Sequence, residues 1–278
     1  MINMKSKLLT AALLSLAAAF SLQAQTVSAN DIIVGVRNSG ANNLEIKAGS
    51  VSTLQTFSTE TLIGNYNSSL TAAIGATWST ATNSAGAIWG AGGSSGQSTQ
   101  VYASSLWDLG SAGTLGVANN DHPWNGFSSL GTAATKFGSV NTGFNSSSAT
   151  ATADAGAKTI LAGNANSWSL QGGTGAAAFN NFNPNNGGFA GVAAANAAAL
   201  GTNYSALDLY QVVVNGSTFL GTFALYTADG GGHNVGDLTF TAFTAIPEPS
   251  AYAGIVGACA LAAGLYRRLR RTSAPTDA

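Results

Sequence analysis

The segment from Ile246 to Ala278 prevents this chain from folding as one uniform globule. It opens with Pro247-Glu248-Pro249, whose prolines remove two backbone donors and hold the chain extended, so no helix runs through them. Ser250 then offers a side-chain oxygen to cap the helix beyond it. Ala251 to Tyr266 carries no charge. At about 1.5 Å per residue it forms about 24 Å of helix, a short span for a hydrocarbon core of about 30 Å. Leu269 and snorkelling arginines extend it. Arg267, Arg268, Arg270 and Arg271 follow, and then a short polar tail. Retention of positive charge on the cytoplasmic side places this end inside and everything before Pro247 outside.

Pro-Glu-Pro, a short apolar helix and an arginine cluster, in that order, resemble a PEP-CTERM sorting signal. The resemblance implies an exosortase-like partner, a membrane-embedded transpeptidase-like protease that processes such tails in Gram-negative bacteria making extracellular polysaccharide. It covers only the tail. Residues 1–24 carry a second targeting pattern: Lys5 and Lys7, an apolar run from Leu8 to Phe20, and Leu22-Gln23-Ala24 as the cleavage site. Cleavage at Ala24 leaves residues 25–245 as an exported domain and 246–278 as the tail; Val27-Ser28-Ala29 is the alternative site.

Between Gln25 and Ile246 stand four bases (Arg37, Lys47, Lys136, Lys158) and nine acids, so four minus nine gives a net charge of −5. Such a surface has no basic patch for phosphate, which excludes nucleic acid as a partner. The chain's one cysteine, Cys259, falls in the tail, so no disulfide is expected in the domain. Short apolar runs between Gly, Asn and Ser clusters point to many short strands joined by turns. The expected fold is mainly β: a sandwich-like domain of short antiparallel strands with a few short helices, plus one C-terminal transmembrane helix.

Asp31–Arg37 reads as a buried strand, with Leu44 to Lys47 pairing back on it. Leu70, Ala73 and Ile74 have helical spacing behind Ser68 or Ser69. Strands at Ala87 to Gly90 and Gln100 to Ala103 flank a flexible loop from Gly92 to Gly96. This opening is loosely similar to the N-terminal part of many PEP-CTERM proteins. Gly131 to Phe137 and Thr150 to Leu161 read as helical, Gly172 to Gly191 as low-complexity loop, and Val192 to Leu200 as a short helix. Leu207 to Val214, Thr218 to Tyr226 and Leu238 to Phe243 form a terminal meander, with Asn215-Gly216 as its hairpin signal. Phe219, Phe223 and Leu225 fall on one face at a period of two, as do Leu238, Phe240 and Ala242.

Chemistry is sparse. His122, in Asp121-His122-Pro123-Trp124, fits half of a dyad, but turn chemistry before proline explains it equally. His233 lies in a glycine-rich stretch between Asp229 and Asp237; carboxylates and carbonyls there suit a calcium loop, but the spacing matches no calcium motif and a hairpin loop is the better reading. No nucleophile, metal or nucleotide fingerprint is present, so no catalytic residue, metal or cofactor is expected. The five tryptophans, Trp78, Trp89, Trp107, Trp124 and Trp168, serve either as sugar-stacking platforms or as core. Core is the better reading, with Trp124 the one most suited to exposure. The expected function is a non-enzymatic exported cell-surface or extracellular-matrix protein of unassigned specific activity. It is held in the inner membrane and then processed by exosortase, with extracellular polysaccharide as a further partner. A surface carbohydrate-binding or adhesion module is the alternative, and a hydrolase the third reading.

Overall fold

The computed structural model describes residues 25–37, 42–79, 88–106, 115–117, 130–172, 187–188, 203–243 and 261–262. The strands are β1 Asp31–Arg37, β2 Asn43–Ser50, β3 Thr61–Asn65, β4 Ile88–Ser94, β5 Gln100–Leu106, β6 Thr150–Ala151, β7 Ala157–Ile160, β8 Gly187–Gly188, β9 Tyr204–Val213, β10 Gly216–Tyr226 and β11 Asp237–Ala242. All join one 11-stranded antiparallel sheet in the order β3-β11-β10-β9-β5-β4-β1-β2-β7-β6, with β8 pairing β4 beside the end of β5. The mainly β class is therefore as the sequence predicts, but hydrogen bonding is continuous instead of being divided between two sheets. Residues from distant strands share one core: Val34, Leu44 and Trp89 cluster with Leu207, Phe223 and Phe240. The sheet curls around that core, sandwich-like in its layering alone.

Strand β1 shows why the sequence reads as it does. Ile32, Val34 and Val36 enter the inner core, while Ile33 packs into a second cluster on the opposite face. A strand buried on both faces is an unbroken apolar run, not an alternating one. The inner face is closed by Val51–Leu54 and the helix Asn67–Ile74, which bury Leu54, Leu70 and Ile74. The outer face is covered by the helix Leu130–Asn145, through Leu130, Ala133, Phe137, Val140 and Phe144.

Four local readings are corrected, and a fifth in part: within the expected loop Gly172 to Gly191, Gly172 ends the helix Trp168–Gly172 and Gly187–Gly188 is β8, while the rest of that stretch and the expected helix Val192 to Leu200 lie outside the described residues. First, Thr150 to Leu161 is not helical: it is β6 and β7 around a turn in which Ala157 N–H donates to the Asp154 carbonyl and Gly156 has φ 81°. The edge of β2 supplies these small residues with partners, Leu44 opposite Thr159 and Ile46 opposite Ala157, which no local pattern encodes. Second, the helix starting at Asn67 has no Ser68 or Ser69 cap. The Ser69 backbone N–H and hydroxyl both donate to Asp154 Oδ2, at 2.9 and 2.6 Å. A carboxylate from another element therefore occupies the positive end of the helix.

Third, Gly92 and Gly93 belong to β4, not to a loop. A Cβ on Gly92 would strike the Phe137 ring, and one on Gly93 the Asp31 carbonyl; these glycines permit close approach. Fourth, Phe219 does not share a face with Phe223 and Leu225. A β-bulge between Phe219 and Gly221 places Leu220 out of register, so Phe219 turns to the outer cluster while Phe223 and Leu225 stay inside. Leu238, Phe240 and Ala242 do line one face, in the inner core. The β9–β10 hairpin forms where Asn215-Gly216 signals it, its turn at Val214-Asn215 between the paired Val213 and Gly216.

The segment Thr244–Ala278 is a separate unit. Within it, Leu261 and Ala262 are described and helical. The remainder of the expected span 251–266 lies outside the described residues, and among those described no helix is long and apolar enough to cross a membrane.

Candidate functional site

Two polar clusters sit within the sheet. The first closes the loop between β10 and β11. His233 stacks on Tyr226, with ring centroids 4.2 Å apart and planes 22° from parallel. It stands between Glu60 Oε1, 3.7 Å from Nε2, and Asp237 Oδ2, 3.6 Å from Nδ1. Both carboxylates already accept other donors. Glu60 Oε1 takes the Tyr226 and Thr239 hydroxyls, each at 2.8 Å. Asp237 takes the Asn234 N–H at 2.9 Å and the Asn65 amide at 2.7 Å. Asp229 Oδ1 accepts the Val235 N–H at 2.8 Å. The carboxylates thus cap a glycine-rich loop, in which Gly230 and His233 form a β-bridge.

Burial pushes the Tyr226 hydroxyl above its usual range, and its hydrogen bond to Glu60 pushes it the same way, so the phenol stays a donor. Among the described residues, no group of three or more His, Cys, Asp or Glu side chains is placed to hold a metal. This geometry stabilises a turn and presents no activated nucleophile. His233→Ala is accordingly expected to lower stability by about 0.5–1.5 kcal/mol through loss of the stacked pair. Thermal melts measure that loss. Turnover of a polysaccharide or ester by the unmodified protein, abolished by the same substitution, would refute the structural role.

The second cluster lies under the outer layer. Gly35 of β1 stands opposite Glu45 of β2, and a Cβ on Gly35 would fall inside the Trp168 ring. The Trp168 backbone N–H donates to Glu45 Oε1 at 2.8 Å. Glu45 is fully buried, and desolvation raises its carboxyl to about 8 against the opposing pull of that hydrogen bond. Its Oε2, the neighbouring Asn43 Oδ1 and Arg37 Nε have no hydrogen-bond partner among the described residues. A raised carboxyl is a hallmark of general acids, yet no surface of this one meets solvent. It is a structural acid held protonated near neutrality. Sequence reasoning misses Glu45 because its apolar surroundings are assembled from β1, β2 and the Trp168 segment, far apart in the chain.

Trp78, Trp89 and Trp168 are core residues, 1%, 0% and 3% exposed. Trp78 Nε1 donates to Asn67 and Trp89 Nε1 to Ser205. These three offer no face to a sugar. Trp107, Trp124 and His122 lie outside the described residues, as do Ala24, Pro247, Glu248, Pro249, Arg267, Arg268, Arg270 and Arg271. No protein-family model, curated protein or solved structure matches the chain.

Proposed function

We propose that this is an exported cell-surface or extracellular-matrix protein, sorted through its PEP-CTERM tail and without catalytic activity of its own. The observation that carries the reading is the order of Pro247-Glu248-Pro249, the uncharged stretch Ala251 to Tyr266, and Arg267, Arg268, Arg270 and Arg271. The separation of Thr244–Ala278 from the preceding unit supports it. In this reading the helix holds the protein in the inner membrane, and the rigid Pro-Glu-Pro presents a peptide bond to an exosortase-like protease at the outer membrane face. The carboxylates around His233, engaged by other donors, favour a structural over a hydrolytic domain. The buried tryptophans weigh against a carbohydrate-binding module.

Motif and anchor have separable effects. Glu248→Ala, or replacement of Pro247 and Pro249, is expected to leave the chain inserted and block processing. Changing the four arginines to glutamine weakens retention and orientation, because they are the strong topological charge beside the helix. Tail cleavage is compared in cells with and without the exosortase. Equal cleavage in both strains, or normal processing of the Glu248→Ala chain, would overturn the sorting reading.

A further inference from the structure

Residues Gln25 to Ala29 precede β1, yet distant elements hold them in place. Val27 is 5% exposed and belongs to the outer cluster with Val101, Val140 and Phe144. The Asn145 side chain, at the end of the helix Leu130–Asn145, grips its backbone in both directions. The Val27 N–H donates to Asn145 Oδ1 and Asn145 Nδ2 donates to the Val27 carbonyl, each at 2.8 Å. One side-chain amide thus satisfies both backbone groups of Val27, as a neighbouring strand would. One turn earlier on the same helix, Asn141 Nδ2 donates to the Ser28 carbonyl at 3.4 Å.

The residues on either side of Val27 are fastened as well. Lys47 Nζ donates to the Thr26 carbonyl at 2.7 Å and stands 3.1 Å from Asp31 Oδ2, which also accepts the Ser28 N–H at 2.8 Å. Asn30, at φ 67°, then turns the chain into β1; asparagine takes this left-handed conformation more readily than most residues. Leader removal at Ala24 leaves all of these contacts in the product. Removal at Ala29 takes Val27 out of the outer cluster, parts Asn145 from both of its backbone partners and deprives Asp31 of a donor. Small-residue patterns suit both positions. The folded contacts suit only the first.

We propose that Thr26, Val27 and Ser28 are an N-terminal plug of the outer layer, and that the folded exported protein begins ahead of Thr26, after leader removal at Ala24. This rests on the reading of residues 1–24 as an export leader. A leader peptidase acts on the chain before it folds, so the contacts select among products and do not steer the cut itself. A chain cut at Ala29 loses a buried apolar side chain together with the hydrogen bonds of Thr26, Val27 and Ser28. Both losses fall on the same corner of the outer layer, at the end of the helix Leu130–Asn145, and open its cluster to water.

The test uses the full chain, exported from a Gram-negative host and recovered folded, with its N-terminus identified by peptide mass mapping. The expected first residue is Gln25. A folded product beginning at Asn30 overturns the proposal. Asn145 lies 118 residues from Val27, so Asn145→Ala probes the plug without touching either cleavage position. It is expected to lower the melting temperature by about 3–6 °C. Joining the leader directly to Asn30, which deletes Gln25 to Ala29, is expected to lower it by about 10 °C or more. A deletion chain that melts with the unmodified protein overturns the plug, and so does an unchanged midpoint for Asn145→Ala. Where the deletion chain yields no folded protein, Asn145→Ala decides alone. Recovery of the folded chain with residues 1–24 still attached instead overturns the leader reading, and the melts then judge the plug by themselves.

Discussion

Gly35→Ala is expected to destabilise the domain by about 3 kcal/mol. The added methyl would fall inside the Trp168 ring, a rigid aromatic with no flexible end to swing aside. Trp168 cannot retreat cheaply. Its backbone N–H is tied to Glu45 Oε1 at 2.8 Å, and its ring packs against Phe137 at 6.5 Å between centroids. Overpacking of this kind costs about 1–3 kcal/mol, and displacing a buried tryptophan adds part of the roughly 3–5 kcal/mol lost on its truncation. The loss of unfolded-state entropy on replacing glycine works the other way but is worth only about 0.4–1 kcal/mol. The clash wins. For a domain of this size the shift in melting temperature is about 6–12 °C downward. In a Trp168→Ala background the same glycine substitution should be near neutral or stabilising, because the obstructing ring is gone and the two sites are directly coupled. Equal cost in both backgrounds would show that the ring does not set the requirement for glycine.

Raising the pH should weaken the fold through Glu45. Below pH about 4.5, the ordinary value for the group, native and unfolded chains both hold its proton, and Glu45 contributes no slope. Between there and its native value of about 8, the unfolded chain releases the proton while the native chain keeps it. The native state then binds more protons, so stability falls with rising pH by at most about 1.4 kcal/mol per unit from this group. Above about 8 both states are ionised and the slope ends. Glu45→Gln retains an oxygen for the Trp168 N–H and has no proton to lose. Its stability should be flat across that window wherever Glu45 is the sloping group, and it should exceed that of the unmodified protein by the largest margin above pH 8. Urea unfolding at pH values of about 4, 6 and 8, which bracket the ordinary and raised values, measures this. Parallel stability curves for the two proteins would show that Glu45 titrates normally and is not the buried acid described.

The strands that are legible in the sequence have both a strong apolar run and a partner close in the chain. Asp31–Arg37 and the β9–β10 hairpin satisfy both conditions, and they occur where the pattern places them. Thr150 to Ile160 lacks the strong apolar run, although β6 and β7 pair with each other across a local turn. Its alanines and threonines fit helix or strand equally, and the deciding partner is β2, more than a hundred residues earlier. The two faces of β10 escape the sequence pattern for a different reason. A period of two describes an unbroken strand, and the single extra residue at Leu220 inverts the pattern for Phe219; its one mark in the sequence is Gly221, a glycine within the strand at φ 150°.

Glycine shows the same division. A cluster of glycines signals a loop when only local chain freedom is considered, yet Gly35 and Gly92 sit inside strands because aromatic rings lie directly on them. The candidate sites divide likewise. His233, its flanking aspartates and Tyr226 at the end of β10 lie close together in the sequence, but Glu60, which completes the cluster, stands just before β3, far earlier in the chain.

By itself the sequence determined a mainly β domain, its best strands, the sparse acidic charge and the layout of the tail motif. Those are properties of composition, period and local order along the chain. Only the tertiary structure decided that the strands make one continuous curled sheet, that Glu45 is a buried neutral acid, and that Phe219 and Phe223 face opposite clusters. Each of these depends on which distant segments meet, and hydrogen-bonded registry between strands is a long-range choice that local residue preference leaves open.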